Sequence, residues 1–288
     1  MPETVSRPKI EVRPLTGHIG AEILGADLGK GLDDAVFAEV HRAFLEHHVI
    51  VVRDQQLDHR QQIALARRFG EPDIHPIAIG MDEHPEMLRV YKPANEPACF
   101  GTSWHTDNTF FARPSATTVL YGVTIPPVGG DTLFASTRAA WEGLSPSMQS
   151  MLRDLRAVHS ATRAYDPATT GTAKYEGKAA INYRFSDAIR EEHEHPVVRT
   201  HPETGRLALF VNPMFTQRIV GLHENESRAL LEMLYAWIVR PEFTCRVGWQ
   251  PGTLTIWDNR CTQHYALDDY HGHERLLFRV TITGDVPR

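Results

Sequence analysis

From about Leu88 onward the sequence falls into short apolar runs separated by glycine, proline and polar turns, and this texture constrains the fold more than any other feature. It predicts strands at 88–91, 117–123, 207–211, 244–249, 253–257 and 276–283. Pro126-Pro127-Val128-Gly129-Gly130 and Gln250-Pro251-Gly252 punctuate them. Many short strands with such spacing point to a β-sandwich or barrel. Two helices interrupt the pattern. Ser145-Pro146 reads as an N-cap and first-turn proline for a helix over 148–156, and Leu230, Leu231, Leu234, Tyr235 and Ile238 give 224–239 a helical period. The first third is mixed. It predicts a strand at 10–15, strand and turn through the glycine-rich 17–31, a helix over 33–46 and a buried strand at 49–52. Asp58 caps a further helix that runs through Phe69 and stops at Gly70. Residues 161–194 have weak periodicity and suit either an active-site lid or an ordinary surface excursion.

Composition removes several functions. A net charge of −6 argues against a nucleic-acid partner, which needs a basic footprint. Three cysteines (Cys99, Cys245, Cys261), odd in number and far apart, form neither a disulfide framework nor a zinc motif, so a reducing, cytoplasmic setting is expected. Met1 to Pro8 carries no apolar core of an export signal, and no apolar run reaches membrane-spanning length. Sixteen histidines suggest a metal without saying which of them bind it.

Trp104-His105-Thr106-Asp107 is the sharpest local feature. In an extended segment His105 and Asp107 project to the same side, so an imidazole and a carboxylate can take adjacent positions on one metal. A second histidine would complete the two-histidine, one-carboxylate set that suits Fe(II) and leaves open positions for O2 and a chelating co-substrate. By itself His-x-Asp is weak and arises by chance. The second histidine must come from far away, and Trp257-Asp258-Asn259-Arg260-Cys261-Thr262-Gln263-His264-Tyr265-Ala266 presents His264 after a strand and polar turn. Arg275 and Arg279 then share one face of the last strand. Turned inward, two guanidiniums need anions, which suggests two carboxylate-like or sulfonate-like ligands; turned outward, they are solvated. His193-Glu194-His195, His271-Gly272-His273 and His47-His48 read as surface, loop and helix-end residues. No serine-hydrolase elbow, Walker loop or dinucleotide fingerprint is present.

His105-Thr106-Asp107, Gly129-Gly130-Asp131-Thr132, Trp257-Asp258-Asn259-Arg260, His264-Tyr265-Ala266 and the Arg275/Arg279 pair, in this order and spacing, resemble the TauD/TfdA family of Fe(II)- and 2-oxoglutarate-dependent dioxygenases. The resemblance runs nearly the full chain. It implies one domain over 1–288 with a double-stranded β-helix (jelly-roll, cupin-like) core, mainly β, decorated by outer helices. It implies Fe(II) on His105, Asp107 and His264, and 2-oxoglutarate with its distal carboxylate on Arg275 and Thr132. O2 is the oxidant, and the acidic group of a small organic substrate meets Arg279. Succinate and CO2 are released as the substrate is hydroxylated, with C–S or C–O cleavage where the product collapses. It also implies a homo-oligomer, dimer or tetramer, between which no sequence feature chooses.

Substrate identity is thinner. His75-Pro76 resembles the segment whose histidine touches taurine in the taurine enzymes, and Phe215 and Tyr165 match aromatic walls. Gly101 and Ala78 stand where those enzymes carry asparagine and tyrosine, while 158–163 is similar to aryloxyalkanoate enzymes. The expected pocket is therefore larger and more apolar than taurine requires, for a sulfonate, sulfate ester or aryloxyalkanoate. Taurine dioxygenase proper is the alternative. A non-oxidative cupin-like hydrolase or isomerase, or a silent binding protein, is the alternative of another class.

Overall fold

Strand β5 (Ser115–Thr124), buried along eight of its ten residues, is the spine of the molecule. The computed structural model describes residues 10–96, 101–166 and 187–288; the cysteine at 99, the opening eight residues and 167–186 of the expected lid lie outside them. β5 pairs antiparallel with β13 (Leu254–Asp258) and β15 (Arg275–Thr283). Around them a seven-stranded sheet runs β1 (Glu11–Pro14), β2 (Ala21–Leu24), β3 (Val49–Val52), β13, β5, β15, β4 (Met87–Lys92). A three-stranded sheet, β12 (Thr244–Val247), β6 (Thr132–Ser136) and β14 (Thr262–Ala266), covers its inner face. Together they form the double-stranded β-helix.

The period-two rule explains how one strand serves both faces of the large sheet. On β15, Leu277 packs inward with Val49, Val51, Leu120, Phe134, Trp249 and Trp257 between the sheets. Val280 and Ile282 pack outward on α1 (Asp34–His47) and α2 (His59–Arg67) through Val40, Phe44, Ile63 and Ala66. Arg275 and Arg279, an even number of residues from Leu277, are therefore inward, and both are buried. The solvated alternative is excluded. A third core lies under α3 (Thr137–Glu142), α4 (Pro146–Leu152) and α6 (Glu224–Ile238), with α5 (Thr162–Tyr165) nearer the site.

Several boundaries differ from expectation for local reasons. Asp58 caps α2 in a capping box with Gln61, yet the helix ends at Arg67 because Arg68 and Phe69 close tighter i→i+3 bonds to Leu65 and Ala66. α4 ends at Leu152, and Arg156 instead opens β7 (Arg156–His159). That strand pairs with β8 (His193–Pro196), which places His193-Glu194-His195 in a sheet rather than in a lid or on a fully solvated surface: His195 is buried. α3 is too short for a period to show, although Ser136 caps it. No helix among the described residues is long and apolar enough to cross a membrane.

Three buried histidines give the fold an acid limit. Burial pushes His48 down to about 3 and His195 to about 4, and holds His159 well below the ordinary imidazole value of 6.5. His48 accepts from Arg138 Nε at 2.9 Å, so its protonation would also set two cations together. The unfolded chain binds these protons near pH 6.5 and the folded chain does not, so stability is full above that pH and falls below it. These three alone are expected to give urea melts of the metal-free protein an uptake of about three protons on unfolding near pH 5, a slope on the order of 4 kcal/mol per pH unit, to which the other buried imidazoles add. A free energy of unfolding that stays level down to pH 4.5 would contradict this.

Candidate active site

Three buried donor side chains meet between the sheets. His105 precedes β5 in a loop, and a main-chain bridge ties it to β14: His105 N–H donates to His264 O at 3.1 Å and His264 N–H to His105 O at 2.8 Å. This pairing brings together two histidines far apart in the sequence. The expected extended His-x-Asp segment holds only as far as Thr106. Asp107 opens a turn, and Asn108 adopts a left-handed φ of 56°. The turn still delivers the carboxylate, for Asp107 Oδ1 lies 3.7 Å from Nε2 of both His105 and His264. All three ligand atoms lie within 4.8 Å of one another.

At 3.7 Å no hydrogen bond links these atoms. His105 Nδ1–H donates to Ser103 O at 2.7 Å, which leaves the Nε2 lone pair facing the cluster. Burial lowers the pKa of His105 and takes that of His264 well below the ordinary value, so both rings are neutral at pH 7. Burial pushes the Asp107 carboxyl up, but Arg279 foremost overrides it and holds the group well below the carboxylate range. Two neutral imidazoles and one carboxylate converge, and the His105 Nε2 lone pair faces the carboxylate. That donor set fits a divalent cation of mixed nitrogen and oxygen preference.

Both arginines of β15 line this space, with different partners. Arg279 Nη2 sits 2.9 Å from Asp107 Oδ2, and its Nε donates to Thr281 Oγ1 at 3.2 Å. One of the two anions expected for the pair is thus the protein's own carboxylate. Arg275 lies with its guanidinium carbon 5.6 Å from the Trp249 ring and 5.7 Å from the Tyr270 ring. Trp249 Nε1–H also donates to Thr132 Oγ1 at 3.0 Å, so this indole joins the two residues expected to share a carboxylate. Gly130, at φ +72°, brings its backbone so close that an added Cβ would stand 3.4 Å from Arg275 Nε. Trp249 and Tyr270 escaped the sequence reading, since an aromatic in a strand or turn carries no signal of which guanidinium it will face.

The remaining expected contacts fall into separate groups. His75 accepts at Nδ1 from the backbone N–H groups of Ile77 and Ala78 (3.1 and 2.8 Å), so its Nε2–H donates to Asn108 Oδ1 at 3.0 Å. Both ring nitrogens have protein partners, and burial lowers its pKa to about 4. His75 is therefore a neutral post that shapes the 75–78 loop. Phe215 and Tyr165 are buried with Ile77, Phe110 and Ile189 in an apolar cluster, and the Phe215 ring centroid lies 6.3 Å from that of His105. Gly101 takes φ +79°, and an added Cβ would touch His105 Cε1 at 3.6 Å. Ala78 packs with Leu88.

A second buried trio, His201, Asp258 and Cys261, also brings its ligand atoms together. It is already satisfied by protein. Asp258 takes two bonds from the Arg260 guanidinium and one from His201 Nε2, while His201 Nδ1 accepts from two backbone N–H groups.

A family model described as "Taurine catabolism dioxygenase TauD, TfdA family" matches residues 11–281. The chain belongs to the TauD/TfdA family. A relative from Pseudomonas putida, an "alpha-ketoglutarate-dependent sulfate ester dioxygenase", is 37% identical over 97% of this chain and 91% of its own. The "(S)-phenoxypropionate/alpha-ketoglutarate-dioxygenase" of Sphingobium herbicidovorans is 31% identical over 96% of each. Among solved structures, a taurine dioxygenase from Burkholderia xenovorans superimposes with a TM-score of 0.79 at 39% identity, covering 97% of this chain and 93% of its own. This member of the TauD/TfdA family is a 2-oxoglutarate-dependent dioxygenase, an enzyme class that uses Fe(II) and O2.

Proposed function

We propose that this dioxygenase oxidises a small organic sulfate ester, sulfonate or aryloxyalkanoate whose body is bulkier and more apolar than taurine. The observation that carries the reading is the placement of Arg279 beside the three-ligand cluster. Asp107 engages Nη2 and Thr281 accepts from Nε, and among the described residues none bonds to Nη1, which would meet an incoming anion. Beside the cluster, Phe215 packs 6.3 Å from the His105 ring as part of an apolar group with Tyr165 and Ile77. An anionic head and a greasy tail fit that pair of surfaces.

His105, Asp107 and His264 would hold the metal. Bound Fe(II) supplies the activation of O2 that couples loss of CO2 from 2-oxoglutarate to insertion of oxygen into a C–H bond. One oxygen atom ends in succinate and one in the hydroxylated product. Arg275 and Thr132 fix the distal carboxylate of 2-oxoglutarate, with Trp249 orienting the threonine hydroxyl. Arg279 holds the substrate anion, so the carbon next to it is the one exposed to oxidation. If that carbon bears a sulfate or aryl ether oxygen, the product collapses to sulfate or a phenol and a carbonyl compound. No side chain is needed as a general base.

In this reading residues 1–288 form one catalytic domain and assemble as a homo-oligomer. The buried, unbridged Cys245 and Cys261 support a reducing cytoplasmic setting. The test is a substrate panel of taurine, medium-chain alkyl sulfates, longer sulfonates and both enantiomers of aryloxypropionates, with succinate as the readout. Turnover of one or more of the bulkier acids should exceed that of taurine at least about tenfold, the discrimination an apolar wall can give. Activity confined to taurine would replace the proposal by taurine dioxygenase proper. Iron-loaded protein that forms no succinate with any of them would favour a non-oxidative role.

A further inference from the structure

Trp257-Asp258-Asn259-Arg260 is a motif that the reaction does not absorb, and all four of its residues are buried. Asp258 and Arg260 neutralise each other. Asn259 is different. Its Oδ1 accepts from Trp257 Nε1 at 3.0 Å and from the backbone N–H of Asp107 at 3.3 Å. Both partners are donors only, so the amide has one possible orientation. Its Nδ2 then donates to Thr118 Oγ1 at 2.9 Å. The threonine hydroxyl, having accepted there, directs its single proton to Asp107 Oδ2 at 2.8 Å.

We infer that Asn259 and Thr118 act as a positioning relay for Asp107, holding its main chain with one end and its Oδ2 with the other so that Oδ1 alone faces the two imidazoles. The inference rests on the metal-ligand reading above. Without the relay, Oδ2 keeps only Arg279, and the carboxylate can rotate about its last bond. With it, Oδ2 receives two charge-assisted bonds, and the turn that carries Asp107 is pinned to the start of the 259–261 turn. Thr118 reaches the carboxylate because β5 pairs with β13 in a register that sets Thr118 opposite Trp257. Asn259 is therefore a residue whose contribution runs through other residues, with no contact to substrate.

The experiment measures Mn(II) affinity by electron paramagnetic resonance titration of the full-length protein, alongside thermal melts of the metal-free variants. Thr118→Val should weaken Mn(II) binding by about tenfold or more, the usual effect of removing a bond that orients a ligand. Thr118→Ser, which keeps the hydroxyl, should stay within about threefold of wild type. Asn259→Ala provides an independent arm if the valine variant does not fold, and it should lose as much as Thr118→Val. In a relay the double variant is no weaker than the worse single one, whereas two unrelated structural effects would add. Wild-type affinity in Thr118→Val or Asn259→Ala, or fully additive losses, would overturn the relay. Failure of the wild-type protein itself to bind one Mn(II) would overturn the ligand assignment beneath it.

Discussion

His105→Ala is expected to abolish succinate formation, by more than about 10³-fold, because it removes one of the three proposed metal ligands and leaves a pair that holds a divalent cation poorly. The fold should survive the change. His105 is held to β14 by its backbone N–H and carbonyl, and alanine keeps both bonds. The side chain's own anchor, Nδ1–H to Ser103 O, disappears with the ring. Melting of the metal-free variant should therefore lie within a few degrees of wild type, while stabilisation by added metal is lost. Comparing melts with and without Mn(II), beside a turnover assay, separates a ligand from a packing residue. An unchanged rate would remove His105 from the metal site.

The second large effect concerns Arg279. Its guanidinium is the main reason a fully buried Asp107 stays ionised, against a burial effect that acts the other way. Replacing it with methionine, similar in reach but uncharged, leaves an uncompensated buried carboxylate. The metal-free protein is expected to lose about 3–5 kcal/mol of stability, the usual penalty for removing one partner of a buried pair. A bound divalent cation supplies the missing positive charge, so Mn(II) should restore much of that loss. Turnover should not recover with it, because the substrate anion would have lost its proposed partner. Arg279→Lys should rescue stability better than turnover, since an ammonium keeps the charge without the fork. Urea melts of the three proteins with and without Mn(II) decide the matter. A methionine variant as stable as wild type without metal would show that the ion pair is not what sustains Asp107.

Much of the scaffold was legible because its signals are local. Val49–Val52 and the caps at Asp58 and Ser145 follow from a few neighbouring residues. The even spacing of Arg275 and Arg279 was legible as a shared face, and Leu277 between them, once seen in the core, decided which face. The strands β7, β8 and β9 (Val198–Thr200) were not read, because their residues are polar or histidine-rich and acquire strand form only from partners elsewhere. His195 shows the consequence. It looks like a surface residue in sequence and is buried by pairing with β7.

The candidate site divides in the same way. Motif order and strand period determined that two histidines, one carboxylate and two arginines sharing one face are available, since period and turn chemistry act over a few residues. Only the tertiary structure decided what each of them touches. It set Asp107 between two imidazoles, gave its second oxygen to Arg279 and Thr118, and engaged both nitrogens of His75 with protein partners. Those contacts join elements that meet only when the two sheets close on each other. Inside that closed space a buried charge must find its partner among whatever groups the register places beside it.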